Sequence, residues 1–132
     1  MRRTVFAAAL TTVFVVALSA QSPIVTGDRS TPLRPLTGAG NAGVSNAVLR
    51  DQVDVRAIRV VVEPGGVRAV HTHDDVKFHL FVPISGPMTL NLDGASPVAV
   101  PPWQPYYMKA GTRHGFQNTG NAAVEIMEIF IK

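Results

Sequence analysis

The alternation of apolar and polar positions predicts a chain built from short strands. After Val53, β-branched and aromatic runs are separated by turn residues, as expected for strands. The predicted strands are Val55–Val62, Val67–His71, Phe78–Ile84, Met88–Leu92, Val98–Val100, Tyr106–Met108, His114–Asn118 and Val124–Ile131. Turns are predicted at Pro64-Gly65-Gly66 and at Asp93-Gly94. This pattern indicates an all-β sandwich or small barrel over residues 53–132.

The first 52 residues have a different texture. Arg2 and Arg3 precede the uncharged run Val5–Leu18, and the small residues Ser19 and Ala20 follow it. This order predicts a signal peptide over residues 1–20 and a secreted or periplasmic protein. The run is shorter than the roughly 20 apolar residues of a spanning helix, so no stable membrane insertion is expected once it is removed; an uncleaved anchor is the alternative. Residues 21–52, rich in proline and glycine, are predicted to form an extended arm that could add one edge strand.

Composition and charge narrow the function classes. The 132 residues allow a single domain. Cysteine is absent, which excludes disulfides, a thiolate metal site and a cysteine nucleophile. The net charge of +3 includes Arg2 and Arg3; without them ten basic residues face nine acidic ones. The charge therefore gives no reason to expect a nucleic-acid partner.

The four histidines are the candidate chemistry. They are His71, His73, His79 and His114. On a strand, His71 and His73 would face the same side, about 6.5–7 Å apart along the chain, and both could reach one metal ion. Imidazole nitrogens suit Fe, Ni, Cu and Zn. An isolated His-x-His pair would ordinarily be two exposed polar residues on a loop.

The residues around these histidines resemble the two motifs of the cupin superfamily. The first motif runs G-x5-H-x-H-x3–4-E-x6-G, and here the segment reads GGVRAVHTHDDVKFHLFVPISG. The second runs G-x5-P-x-G-x2-H-x3-N, and here it reads WQPYYMKAGTRHGFQN. Trp103 replaces its first glycine and Lys109 its proline, and neither change removes a ligand. The resemblance covers about residues 55–131.

The resemblance implies a cupin-type jelly-roll barrel of six to eight strands with one divalent transition metal inside. His71, His73 and His114 occupy ligand positions, and His79 is a possible fourth ligand. Counting back from Gly86 puts His79 at the place of the motif's glutamate, whereas counting forward from His73 leaves one residue too many. Four neutral imidazoles would leave the full +2 charge in the pocket and favour Fe, Ni, Cu or Zn over Mn.

Two function classes remain open from the sequence. One is a metal-dependent enzyme acting on a small oxygenated molecule, in the manner of a cupin dioxygenase. The other is a non-catalytic module that holds a small ligand or a metal. Lys77, Arg113, Phe81 and Met88 are the candidate substrate-binding residues. Small cupins commonly pair through sheet edges, so a homodimer is expected.

Overall fold

A computed structural model describes residues 27–132, and the predicted signal peptide lies outside this range. The described residues contain nine strands: β1 (Arg34–Pro35), β2 (Ala42–Asp51), β3 (Val55–His71), β4 (Phe78–Pro83), β5 (Met88–Leu92), β6 (Val98–Val100), β7 (Tyr106–Lys109), β8 (His114–Gln117) and β9 (Val124–Ile131). No helix in this range is long and apolar enough to cross a membrane. The prediction of an all-β protein is confirmed.

The strands form one antiparallel sheet that curls into a nearly closed barrel. The order is β6-β5-β8-β3-β9-β4-β7, with β2 paired to the outer edge of β3 and β1 paired to β2. The turn at Asp93-Gly94 joins β5 to β6 as predicted, with Gly94 at φ 76°. Gly94 suits this turn because glycine adopts positive φ without steric cost.

The period-two alternation along each strand divides core from surface. On β9 the row Val124, Ile126, Glu128 and Phe130 is buried, and the residues between them are only partly buried. On β4 the buried row includes His79 and Phe81. Because the sheet curls, the buried rows of all its strands point into the barrel. Apolar side chains such as Leu90, Phe116 and Val60 fill this interior.

The structure corrects one predicted turn. Pro64-Gly65-Gly66 does not separate two strands, because β3 runs without interruption from Val55 to His71. Its first part, up to Val62, pairs with β9, and its last part, from Val67, pairs with β8. Gly65 has a φ of 73°, and a Cβ on Gly66 would lie 2.7 Å from a backbone oxygen, so glycines here let the strand bend tightly.

The buried side chain of Asn118 stabilises this bend. Its amide nitrogen donates to the carbonyls of Val62 (3.0 Å) and Ala122 (2.8 Å), and its side-chain oxygen accepts from the N–H of Gly120 (2.9 Å). Its backbone exchanges hydrogen bonds with Gly65 and Gly66. Asn118 therefore ties the bend in β3 to the turn that follows β8.

The described part of the proline- and glycine-rich arm contributes two strands. β2 pairs with β3 from Ala42↔Val67 to Asp51↔Arg56, with register shifts at two points. Val44 and Ala47 of β2 are 3% and 4% exposed. The sheet therefore begins before residue 53, and this segment covers one edge of β3.

We expect Asn118→Ala to lower the free energy of unfolding by about 2–3 kcal/mol, because it leaves buried backbone groups without a partner. The matched control is Asn121→Ala, which changes an exposed asparagine in the same turn. Urea unfolding of the two variants and the wild type measures the difference. Equal stability of the two variants would contradict the structural role given to Asn118.

Candidate metal centre

The structure brings all four histidines together at one place in the barrel. His71 at the end of β3 lies opposite His114 at the start of β8. His73 follows in the loop after β3, and His79 faces inward from β4. The ring centroids of neighbouring imidazoles lie 4.5–5.4 Å apart. This spacing lets their nitrogens point at a common centre.

Backbone carbonyls fix the orientation of two of these rings. The Nδ1–H of His71 donates to the carbonyl of Ala69, and that of His114 donates to the carbonyl of Thr112, both at 2.9 Å. With Nδ1 engaged, Nε2 is the free ligand atom of each ring. Such hydrogen bonds set the tautomer of metal-binding histidines and hold their rings in place.

The other two imidazoles pack against Phe130 of β9. The ring of His79 stacks on it at 4.4 Å, and the ring of His73 meets it edge-on at 4.6 Å. His79 is 1% exposed, whereas His71 and His73 are only half-buried. The cluster therefore has a closed side at His79 and an open side at His71 and His73.

Several polar atoms of this cluster have no hydrogen-bond partner although they are buried. They are both ring nitrogens of His79, Nε2 of His114 and Oε1 of Glu128. The Nε2 atoms of His71 and His73 lie 3.1 Å apart. Buried polar atoms are normally satisfied, and unpaired ones carry a cost in free energy. A metal ion would bind one nitrogen of each imidazole and the Glu128 oxygen, so this donor set fits a divalent transition metal.

Two overlapping groups of donors have the proximity a metal needs. In each group the ligand atoms lie within 4.8 Å of one another; the groups are His71, His73 and His114, and His79, His114 and Glu128. His114 belongs to both. Glu128 was not singled out by the sequence analysis. Both alternating rows of the last predicted strand are apolar apart from one glutamate, Glu125 in one row and Glu128 in the other, so alternation alone did not mark Glu128.

His71, His73 and His114 are held in the neutral form that binds metal. Burial, together with the charge of the neighbouring His71, lowers the pKa of His73 to about 4. Burial also lowers the pKa of His114 to about 4, although the hydrogen bond to Thr112 opposes the change. Burial lowers the pKa of His71 in the same way. These groups need not lose a proton at neutral pH before they bind a cation.

The candidate substrate-binding residues are not brought to the cluster as a set. Arg113 is exposed and pairs with Asp93 at 2.6 Å, so its guanidinium is engaged on the surface. Lys77 is also exposed. Phe81 and Met88 are 0% and 2% exposed and pack in the apolar core, where Phe81 lies 5.2 Å from Phe116. Their role in substrate binding stays a prediction.

Comparisons with known proteins agree with this fold. A family model described as a cupin domain matches residues 58–130. A search of curated proteins returns no match.

Solved structures give the same fold. A predicted oxalate decarboxylase from Thermotoga maritima is 20% identical, with a TM-score of 0.71 over 82% of this chain and 98% of its own. The polyketide cyclase RemF from Streptomyces resistomycificus is 19% identical, with a TM-score of 0.68 over 77% and 74% of the two chains. A cupin domain from Bordetella pertussis is 25% identical, with a TM-score of 0.60 over 72% and 99%.

The metal-free protein should lose stability as the pH falls from about 6.5 to about 4. In this window unfolded histidines take up protons, whereas folded His73 and His114 stay neutral until about pH 4. The unfolded state then binds more protons than the folded state, so the free energy of unfolding decreases as the pH decreases. Urea unfolding at intervals from pH 7 to 4.5 measures this loss. His73→Asn should make it less steep, and an equal pH dependence in both proteins would contradict the assignment.

Proposed function

Because the chain belongs to the cupin family, we propose that it binds one divalent transition metal through His71, His73, His79 and His114. The observation that carries the proposal is the convergence of buried nitrogens without hydrogen-bond partners, above all those of His79 and His114. Imidazole ligands favour Fe, Ni, Cu or Zn over Mn when they are considered alone. Which of these metals is native is answered by metal analysis of the protein purified from its own compartment.

The proposed activity is that of a metal-dependent enzyme, such as a dioxygenase, acting on a small oxygenated molecule. A bound divalent metal would act as a Lewis acid on an oxygen atom of the substrate. The half-buried His71 and His73 lie on the open side of the cluster, so a small molecule would approach from there. Two of the proteins with the same fold are described as a predicted oxalate decarboxylase and a polyketide cyclase, and both names are consistent with oxygen-containing substrates.

A non-catalytic module that holds a metal or a small ligand is the second candidate. The observation in its favour is that Lys77 and Arg113, the two charged residues predicted to bind substrate, are exposed, and that Arg113 pairs with Asp93. Aerobic turnover assays on the Fe-, Ni-, Cu- and Mn-loaded protein separate the two candidates. Tight metal binding without turnover of any oxygenated substrate would favour the module.

Substitution of each histidine tests the ligand set. His71→Ala, His73→Ala and His114→Ala should each lower metal affinity by more than about tenfold. His79→Ala should lower it by less, and His79→Glu should retain the metal and tolerate Mn better because it restores a carboxylate. Competition titrations with a chromogenic chelator measure these affinities. The control is Asp74→Asn, which changes an exposed carboxylate beside His73 and should have no effect. Unchanged affinity in His79→Ala would reduce the ligand set to three histidines.

We also propose that the mature protein is exported and forms a homodimer. The outward face of β4, β7 and β9 is apolar and includes Leu80, Ile129 and Tyr107, the last 53% exposed. Trp103 beside it is 72% exposed and has a φ of 63°, a backbone conformation that costs free energy in a residue other than glycine. A second copy of the chain is the occupant we propose, because a two-fold axis would put the same apolar face on both sides of the interface.

Native mass spectrometry of protein collected outside the cytoplasm tests export and assembly together. The expected mass is that of two chains, each beginning near Ala20 or Gln21. A full-length chain would contradict removal of the predicted signal peptide. A monomer at micromolar concentration would contradict the dimer, whichever residue the chain begins with.

A further inference from the structure

Glu128 is a buried carboxylate in an apolar wall. It lies on β9 opposite Ile58 of β3 and Phe81 of β4, and it is 7% exposed. An ionised carboxylate in such surroundings is strongly unfavourable unless a cation or several hydrogen bonds compensate its charge. Glu128 therefore needs a partner inside the barrel.

The arginines nearest in the sheet do not supply this partner. Arg56 is on the neighbouring strand, but its guanidinium lies over the ring of Phe130 at 4.8 Å and contacts Asp75 at 3.4 Å. Arg59 donates to Glu125 on the outward face of β9. For Glu128, the charged or titratable contact found among residues 27–132 is with His79, whose Nε2 lies 3.4 Å from Oε1.

The contact with His79 does not satisfy either group. At 3.4 Å the two atoms form no hydrogen bond, and both remain buried without a partner. Nε2 of His114 is unpartnered in the same way. The ligand atoms of these three residues lie within 4.8 Å of one another, the same limit that holds for His71, His73 and His114. A cation would compensate the carboxylate and bind one nitrogen of each of the two imidazoles.

We propose that Glu128 binds the metal directly as the anionic ligand of the cluster. This inference rests on the proposed function, and it relocates the missing carboxylate of the first motif from β4 to β9. One negative charge would reduce the net charge of the loaded site from +2 to +1. An oxygen donor also brings Mn²⁺ and Fe²⁺ within the range of metals that the site accommodates.

Glu128→Gln is the decisive variant, because it keeps the size of the side chain and removes its charge. Its matched control is Glu125→Gln, a change on the same strand that faces outward. We expect Glu128→Gln to lower the affinity for Zn²⁺ and Mn²⁺ by at least about tenfold, with the larger loss for Mn²⁺, and to alter the visible spectrum of the Co²⁺-loaded protein. Glu125→Gln should leave both readouts unchanged. Affinities and spectra equal to the wild type in Glu128→Gln would overturn the inference.

A double-mutant cycle with His79→Ala separates a ligand from a residue that only positions His79. If Glu128 binds the metal, Glu128→Gln still lowers affinity in the His79→Ala background. If the effect disappears there, Glu128 acts through His79 and the inference is wrong. A wild-type protein that binds none of the tested metals would overturn the proposed function itself. If the wild type binds metal and Glu128→Gln binds it with the same affinity, only this inference is overturned.

Discussion

The burial of an ionisable cluster inside an apolar barrel is the constraint on which the rest of this structure depends. His79, His114 and Glu128 are 1%, 1% and 7% exposed, and together they leave four polar atoms without a hydrogen-bond partner. Each such atom opposes folding. The apolar residues that fill the rest of the barrel, among them Phe116 and Leu90, must supply the free energy that holds this cluster in place.

The bend in β3 converts that burial into a site. Up to Val62 the strand pairs with β9, and from Val67 it pairs with β8, so β3 connects the strand that carries Glu128 to the strand that carries His114. The bend depends on Gly65, Gly66 and the three side-chain hydrogen bonds of Asn118. Because His71 lies only five residues after Gly66, small changes at the bend would move the ligand atoms relative to one another.

Much of the fold could be predicted from the sequence because alternation is a local property. The strands from β4 to β9 were found within one or two residues of their bounds, since each has a regular apolar row and a clear turn beside it. The prediction of a turn at residues 64–66 was wrong, because Pro-Gly-Gly occurs both in turns and in bent strands. In the structure, the hydrogen bonds of Gly65 and Gly66 with Asn118 hold this segment in a bent strand. β2 was harder to recognise, since its pairing with β3 overrides an unfavourable local composition.

The candidate site divides in the same way. The four histidines could be found from spacing and from the cupin motifs, and the structure brings them to one place. Glu128 could not be found in this way, because a carboxylate in a strand is ordinarily exposed. The sequence alone also does not reveal which of the two alternating rows of β9 faces inward. Glu125, three residues earlier, illustrates the difference. It belongs to the outward row and pairs with Arg59, whereas Glu128 belongs to the inward row and meets His79.

The charge of the cluster links these observations to the choice of metal. Four neutral imidazoles would place an uncompensated +2 ion in a low-dielectric interior, and the exposed Asp74 and Asp75 are poorly placed to offset it. Glu128 lies at the closed end beside His79, whereas His71 and His73 border the open end. With Glu128 as a ligand, as proposed, a loaded site would keep one net positive charge. We therefore expect that charge to attract an anionic or oxygen-rich small molecule to the open side, if the site binds metal as proposed.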